Sequence, residues 1–276
     1  MKLSDFKPIL ENEAKFKDLA QISKIKGFVI LFDLTGSSNL KKLKPFPNWI
    51  EDYIPFFSIV TETFEEKEIL WYKFLGDAFL YFIPEEDNQN YPKQLKKLTS
   101  SEIIDLCRKV MDKYWIKYKN YKNKDSKGAE KHVNFRELTC AVDFGDEIIN
   151  WLQLLADNEH NFDPIGKTVD RCFRISSYAG AGQILVSKHF FEKLITNFPK
   201  EKDNFHRIHI KKGSLKGFDE ETLIYYDNPS NEKLDYFIEE KNSSLIENST
   251  EMDIKVRIRL MREKINKLEK ELNAKV

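Results

Sequence analysis

Two aspartates stand where an otherwise apolar strand pattern ends or turns. Asp33 closes the pattern FVILFDL at 28–34, and Asp77 follows a glycine in WYKFLGDAFLYF at 71–82. Taken singly, Asp33 can be an ordinary strand end and Asp77 an ordinary turn residue. Side by side at a sheet edge, the two carboxylates would repel each other, and hard divalent cations such as Mg²⁺ or Mn²⁺ would resolve that repulsion through oxygen ligation. Such a pair can hold two ions about 3.5–4 Å apart, which suits attack on a phosphorus centre.

The elements that must position these aspartates follow from apolar periodicity. Their order is strand, helix, two strands around a tight turn, helix and strand. This is the βαββαβ order of a ferredoxin-like α+β sandwich, here followed by C-terminal additions. In such a sheet the first strand lies beside the hairpin, so Asp33 can sit against the hairpin tip at Asp77. The predicted strands cover 28–34, 69–75, 78–83, 138–145, 183–187, 207–211 and 222–227, and the predicted helices cover 48–65, 101–118, 168–179 and 188–197.

Composition and charge narrow the class of protein. Hydrophobic residues make up 41% and charged residues 33% of the 276 residues, which is typical of a globular protein with a substantial core. The 45 basic and 45 acidic residues cancel, which argues against a nucleic-acid polymer as the main partner. The apolar runs fall well short of the ~18 residues that cross a bilayer, and the N-terminus lacks the apolar core of a signal peptide. We therefore expect a cytoplasmic protein without a membrane partner.

Other motifs that carry chemistry are missing from the sequence. The three cysteines and five histidines form no CxxC or HExxH pattern, so neither a disulfide framework nor a zinc site is predicted. The GKT at 166–168 lacks the P-loop glycine five residues before Gly166, where Asn161 stands. The lysine-rich segment 117–137 is predicted to be a solvated loop.

The C-terminal tail separates into a polar linker at 228–250 and an amphipathic helix at 251–276. Apolar residues recur in the helix at spacings of 4, 3, 4, 3 and 4, as in an a/d heptad. A stripe this short needs a partner, which is either the same helix in a second subunit or the domain's own surface. It consists of Ile254, Ile258, Met261, Ile265, Leu268 and Leu272.

Four segments, in this order, resemble the signature blocks of class III nucleotidyl cyclases, the family of adenylate and guanylate cyclase catalytic domains. They are FDLTGSS (32–38), KFLGDAF (73–79), DPIGKTVDRCFRISSYAGAGQILVS (163–187) and LKGFDEETLIYY (215–226). The resemblance implies a catalytic domain with the class III cyclase fold at 26–227, preceded by an N-terminal segment at 1–25. The implied reaction converts a nucleoside triphosphate to a 3′,5′-cyclic nucleotide and pyrophosphate by two-metal catalysis.

The same resemblance implies a role for each matching residue. Asp33 and Asp77 match the aspartates that bind two divalent cations, Mn²⁺ or Mg²⁺. Arg174 matches the arginine that stabilises charge on the pentavalent phosphorus, and Lys216 matches a phosphate-binding lysine. The backbone amides that cradle the triphosphate match Leu34, Thr35, Gly36 and Ser37, with Ser37 in place of the family's usual phenylalanine.

The resemblance leaves the base open. Lys73 and Asp163 match the two base-reading positions, and a lysine donor beside an aspartate acceptor is the pair associated with adenine. A cytosine amine could use Asp163 as adenine does, and uracil could use Lys73, so pyrimidines also fit. Asp170 stands where the family usually has an asparagine that positions the ribose, so an anion replaces a neutral donor.

The domain setting favours pyrimidines. The chain carries no recognisable sensor domain and resembles the stand-alone pyrimidine cyclases of bacterial Pycsar anti-phage systems. UTP is therefore the favoured substrate and CTP the next, with an adenylate cyclase as the alternative. The family's active sites lie between the subunits of a head-to-tail dimer. The implied partners are thus a nucleoside triphosphate, a homodimer with shared active sites, and a separate effector protein that senses the cyclic nucleotide.

Two non-enzymatic alternatives have distinct sequence signatures. A non-catalytic cyclase-like module would have lost a metal aspartate or the transition-state arginine, whereas Asp33, Asp77 and Arg174 are all present. A ferredoxin-like RNA-binding domain would need exposed aromatic residues on its sheet. The aromatic residues here are interleaved with core aliphatic residues.

Overall fold

Nearly continuous apolar strands build a mixed β-sheet that carries helices on both faces, and β4 and β5 form a separate two-stranded sheet. The computed structural model describes residues 24–34, 37, 50, 53–69, 72–85, 97–119, 122–124, 130–132, 138–150, 163–179, 182–210 and 222–227. In chain order the elements are β1 (Ile25–Leu34), α1 (Ile54–Glu65), β2 (Tyr72–Phe74), β3 (Ala78–Pro84), α2 (Ser100–Lys119), β4 (Lys122–Lys124), β5 (Glu130–His132), β6 (Leu138–Asn150), β7 (Pro164–Ile165), α3 (Lys167–Ser176), β8 (Ile184–Ser187), α4 (Lys188–Asn197), a 3₁₀ helix (Pro199–Asn204), β9 (His206–Ile210) and β10 (Thr222–Asp227).

The strand order confirms the predicted ferredoxin-like core. The sheet runs β2-β3-β1-β6-β8-β10-β9, and the short strand β7 pairs with β6. Strand β1 is antiparallel to both β3 and β6, and β2 is antiparallel to β3. The predicted C-terminal additions extend the sheet beyond β6, where β8 pairs in parallel with β6 and β10 pairs antiparallel with β8. The α+β fold class is therefore confirmed.

Strand β1 divides the core into two clusters because successive side chains point to opposite faces of the sheet. Phe28, Ile30 and Phe32 pack into a cluster that includes buried residues of α1, α2 and α4. Val29 and Leu31 pack into a second cluster, with α3, on the other face. Asp33 continues this second set by parity, so it lies on the α3 face of the sheet.

Several element boundaries differ from the sequence-based expectation. Helix α1 begins at Ile54 rather than at 48, and Pro55 occupies its first turn, where the missing N–H costs nothing. Strand β6 continues to Asn150, beyond the predicted 145. The prediction of a loop throughout 117–137 is wrong in part, because α2 extends to Lys119 and β4 pairs with β5. Those two strands contain no apolar residue, so no alternation reveals them.

Some expectations fall on residues outside the described part of the chain. These are most of the N-terminal segment 1–25, the linker at 228–250 and the heptad helix at 251–276. All three cysteines are free and buried within the core. In the described part of the chain, no helix is both long and apolar enough to span a membrane.

Candidate active site

The sheet register brings Asp33 and Asp77 to neighbouring positions. Asp33, the second-last residue of β1, pairs with Ala78 on β3. The next residue, Leu34, donates its N–H to the backbone oxygen of Asp77 at 3.0 Å. The structure therefore shows the expected proximity of the end of β1 and the hairpin tip.

The hairpin tip owes its shape to Gly76. Leu75 donates its N–H to the carbonyl oxygen of Ala78 at 2.9 Å, which closes a two-residue turn at Gly76 and Asp77. Gly76 has a φ of 89°, a left-handed conformation that glycine adopts without strain. The glycine therefore allows the chain to reverse directly before Asp77, and it holds this aspartate beside the end of β1.

A buried serine contacts the second aspartate. Ser37 donates its hydroxyl to Oδ2 of Asp77, and only 4% of Ser37 is exposed. The sequence suggested only a backbone role for Ser37 in cradling phosphate. Its side chain also fixes the direction of the Asp77 carboxylate, through the hydrogen bond to Oδ2.

The donors at this end of the sheet fit a hard divalent cation. Asp33 and Asp77 are both half-buried carboxylates, and they reach the same sheet end from two strands. Carboxylate oxygens are the ligands that Mg²⁺ and Mn²⁺ prefer. The hydroxyl of Ser37 hydrogen-bonds to one of these carboxylates, a contact of the kind that outer-shell residues make in metal sites.

The two predicted base-reading residues contact each other. Lys73 on β2 forms an ion pair with Oδ1 of Asp163, which directly precedes β7. Lys73 also pairs across strands with Leu80, a member of the α3-side cluster, so the lysine lies on the same face of the sheet as Asp33. Both partners keep roughly a third of their side-chain surface exposed, at 37% and 29%. This ion pair is therefore accessible to a ligand on that face.

Helix α3 presents the other two candidate residues to the outside. Its buried side is formed by Val169, Cys172 and Ile175, which pack onto the sheet. Asp170 and Arg174 are one helical turn apart on the exposed side. The structure thus carries both side chains on one ridge above the α3 face of the sheet. Thr35, Gly36 and Lys216 lie outside the described residues.

One polar pair beneath α3 was missed by the sequence analysis. Asp143 on β6 is fully buried, and Arg171 of α3 binds both of its carboxylate oxygens, at 2.7 and 3.1 Å. Burial raises the pKa of Asp143, and the charge of Arg171 opposes that rise. The signal in the sequence was an aspartate on the α3 side of an apolar strand, since such a carboxylate requires a buried partner.

The fold is that of nucleotidyl cyclase catalytic domains. The structure is similar to the guanylyl cyclase Cya2, with a TM-score of 0.54 and 14% identity over 74% of this chain and 92% of that one. It is similar to the adenylyl cyclase CyaB from P. aeruginosa, with a TM-score of 0.52 and 16% identity over 74% of this chain and 94% of that one. It is also similar to an adenylate cyclase from Trypanosoma brucei, solved in its monomeric state, with a TM-score of 0.50 and 14% identity over 74% of this chain and 90% of that one.

The sequence comparisons add no further relative. No family model matches the chain. No curated protein matches it either. At 14–16% identity, the structural likeness defines the fold and the topology of the sheet.

Proposed function

We propose that this protein is a nucleotidyl cyclase, which converts a nucleoside triphosphate into a 3′,5′-cyclic nucleotide and pyrophosphate. The observation that carries the proposal is the meeting of Asp33 and Asp77 at one end of β1 and β3, within a fold shared with cyclase catalytic domains. The exposed Arg174 and Asp170 and the Lys73–Asp163 ion pair, on the same side of the sheet, support it.

Asp33 and Asp77 would hold two divalent cations, Mn²⁺ or Mg²⁺. Such ions lower the pKa of a bound hydroxyl and neutralise charge on a triphosphate. Ser37 keeps Asp77 in one orientation through its hydroxyl. The N–H of Leu34 already donates to the backbone oxygen of Asp77, so the predicted phosphate contact does not fit this amide. The backbone N–H groups of Thr35, Gly36 and Ser37 would cradle the phosphate oxygens.

Arg174 would stabilise the negative charge that develops as the ribose 3′-hydroxyl attacks the α-phosphorus and pyrophosphate leaves. An arginine suits this role because its guanidinium remains charged and can donate two parallel hydrogen bonds to phosphate oxygens. Lys216 would bind phosphate as a point charge. Asp170, one turn before Arg174, would accept a hydrogen bond from a ribose hydroxyl, because an ionised carboxylate can only accept.

The active sites would be shared between two copies of the chain. Arg174 and Asp170 are exposed on α3, and a second subunit that faces this ridge would receive both side chains. Each site of such a homodimer would combine the aspartates of one subunit with Arg174 of the other. The dimer symmetry would then create two equal sites.

UTP is the favoured substrate and CTP the next. The contact between Lys73 and Asp163 places a donor directly beside an acceptor. Uracil presents a carbonyl oxygen beside a ring N–H, and cytosine presents a ring nitrogen beside an amine, so each can bridge the pair. The alternative is an adenylate cyclase, because N1 and the 6-amine of adenine offer the same pattern and CyaB is an adenylyl cyclase.

Incubation of the purified protein with each of the four NTPs and Mn²⁺ should yield one dominant cyclic product, cyclic UMP. Mass spectrometry of the product identifies the base. The Asp77→Ala variant, purified in the same way, is the control for contaminating cyclases. Cyclic AMP as the main product would favour the alternative substrate, and the absence of every cyclic nucleotide would contradict the proposed function.

Lys73→Ala should raise KM for the preferred nucleotide by about 10–100-fold, since a hydrogen bond from a charged donor contributes roughly 1.5–3 kcal/mol. The change in kcat should stay within a few fold, because base contacts are made equally in the ground and transition states. Lys109→Ala is the matched control, since Lys109 forms an ion pair with Glu66 on the helix layer across the sheet. An unchanged KM for Lys73→Ala would contradict the base-reading role.

The product would act as a second messenger in the cytoplasm, sensed by a separate effector protein in anti-phage defence. A nearby gene for a cyclic-nucleotide-binding effector would support this role. Induction of cyclic UMP on phage infection, measured in cell extracts, is the direct test, and unchanged cyclic UMP levels after infection would contradict it.

A further inference from the structure

We propose that the ion pair between Arg171 and Asp143 fixes the rotation of α3 on the sheet and thereby aims Arg174 and Asp170. The inference rests on the proposed function for the roles of these two residues. It assigns to Arg171 and Asp143 the role of positioning residues, since neither lies on the exposed ridge of α3.

The geometry of the pair is that of a two-pronged clamp. Arg171 donates from Nε to Oδ2 of Asp143 at 2.7 Å and from Nη2 to Oδ1 at 3.1 Å. Nη2 also lies 3.3 Å from the carbonyl oxygen of Phe144. The N–H of Phe144 in turn donates to Oδ1 of Asp143 at 2.7 Å. The planar guanidinium is therefore held at three acceptor atoms, and the carboxylate is fixed by the N–H of Phe144 on its own strand and by the side chain of Ser187 on β8.

Burial makes this clamp directional. The side chain of Asp143 is 0% exposed and that of Arg171 is 15% exposed, so water cannot replace the hydrogen bonds cheaply. A bidentate arginine–carboxylate pair is satisfied in only one relative orientation. Rotation of α3 about its axis would break both hydrogen bonds at once. The buried carboxylate of Asp143 would then lack its partner, which is strongly destabilising.

Two further contacts bring α3 close to the same strand. A Cβ added to Gly145 would lie 2.2 Å from Oγ1 of Thr168, so the first turn of α3 touches the backbone of β6. The thiol of Cys172 lies 3.5 Å from the carbonyl oxygen of Ala141 and 3.6 Å from that of Val29. These contacts set how near the helix lies to the sheet, and the buried Val169, Cys172 and Ile175 determine which broad side of the helix faces it. The two hydrogen bonds from the guanidinium of Arg171 to Asp143 restrict the rotation of α3 further.

Because Arg171 lies between Asp170 and Arg174 in one helix, its orientation determines where these two side chains lie. It follows Asp170 directly and precedes Arg174 by three residues, within a rigid helix of ten residues. A side-chain group roughly 6 Å from the helix axis moves by about 1 Å when the helix rotates by about 10°. A misplacement of about 1 Å at a reacting centre can cost about 100-fold in rate. Small rotations of α3 are therefore sufficient to disable Arg174.

The Arg171→Lys variant tests the clamp. Lysine keeps the positive charge beside Asp143 but cannot form two parallel hydrogen bonds. We expect kcat to fall at least about tenfold and KM to rise by a smaller factor, because Arg174 acts mainly in the transition state whereas Asp170 also binds the ribose in the ground state. Amide hydrogen exchange should become faster in α3 and stay unchanged in α2. A double variant, Asp143→Leu with Arg171→Met, removes both buried charges, should fold, and should show the same loss of kcat.

Arg108→Lys is the matched control. Arg108 is also a mostly buried arginine, 20% exposed, that binds Asp227 at 2.7 Å and Glu201 at 2.8 Å, between α2 and the C-terminal elements. The same substitution there should lower Tm by a similar amount and leave kcat unchanged. If kcat falls in Arg171→Lys but not in Arg108→Lys, the loss reflects the positioning of α3 and not a general loss of stability.

The positioning role is overturned if Arg171→Lys retains kcat within about twofold of the wild type, or if Arg108→Lys loses as much kcat as Arg171→Lys. Failure of the proposed function gives a different result, because the wild type would then form no cyclic nucleotide from any NTP. In that event hydrogen exchange alone decides the positioning role. Faster exchange confined to α3 in the two Arg171 variants supports it, and exchange equal to the wild type overturns it.

Discussion

Asp33→Ala and Asp77→Ala should each abolish cyclic nucleotide formation, with kcat reduced by more than about 10³-fold in the presence of Mn²⁺. Each substitution removes one of the two carboxylates that the register of β1 and β3 brings together. One aspartate alone leaves too few oxygen ligands to hold two ions, and the charge on the triphosphate then stays unscreened. The measurement is the initial rate of product formation at saturating nucleotide.

The loss should not come from unfolding. Both aspartates are half-buried at the end of the sheet, outside the apolar clusters, so no core cavity forms. Asp77→Ala removes the acceptor of the buried Ser37 hydroxyl, so the metal-free variant should lose about 1–3 kcal/mol of stability and still fold. Mn²⁺ at about 100 times its Kd should stabilise the wild type by about 2.7 kcal/mol. That stabilisation should be absent or strongly reduced in both variants.

Asp203→Ala is the matched control, because Asp203 is an exposed aspartate on the 3₁₀ helix. It should keep both the wild-type kcat and the Mn²⁺-dependent rise in Tm. Asp77→Asn adds a finer comparison, since the amide keeps the size of the side chain but loses its charge. Full activity of Asp33→Ala or Asp77→Ala with Mn²⁺ would contradict the two-metal assignment.

The sequence was most informative where one local pattern decided the structure. The apolar run before Asp33 gave a buried strand, and the glycine before Asp77 gave a tight turn, so the hairpin and its neighbour could be placed correctly. Helix α4 was also predicted with its bounds from its apolar spacing, and in the structure Ser187 caps it by accepting a hydrogen bond from the N–H of Phe190. Periodicity and turn chemistry act over a few residues and can be read without tertiary information.

Contacts between residues that are far apart in the sequence could not be predicted in this way. Lys73 and Asp163 are 90 residues apart, and Asp143 and Arg171 are 28 apart, so their contacts depend on the register of several strands. The resemblance to cyclases assigned base-reading roles to Lys73 and Asp163, but it did not show that the two side chains contact each other. Nothing in the sequence supplied the second pair, because a lone aspartate in a strand does not identify its partner. The rotation of α3 is therefore a tertiary property of this fold.

A mixture of Asp77→Ala and Arg174→Ala chains should regain activity that neither variant has alone. If the aspartates and Arg174 of each site come from different subunits, one site of the heterodimer contains both lesions and the other contains none. Random assembly makes about half of the dimers heterodimers, and each has one intact site of two. The co-expressed mixture should therefore reach about a quarter of the wild-type rate per chain.

The matched control is a mixture of Asp33→Ala and Asp77→Ala. Both aspartates belong to the same half of the site, so every site in that heterodimer lacks one of them and no activity should return. Both mixtures contain the same amounts of folded protein, which can be verified by Tm and by size-exclusion chromatography. Absence of recovery in the first mixture, or equal recovery in both, would contradict the shared-site dimer, because only complementary lesions in opposite halves can rebuild one complete site.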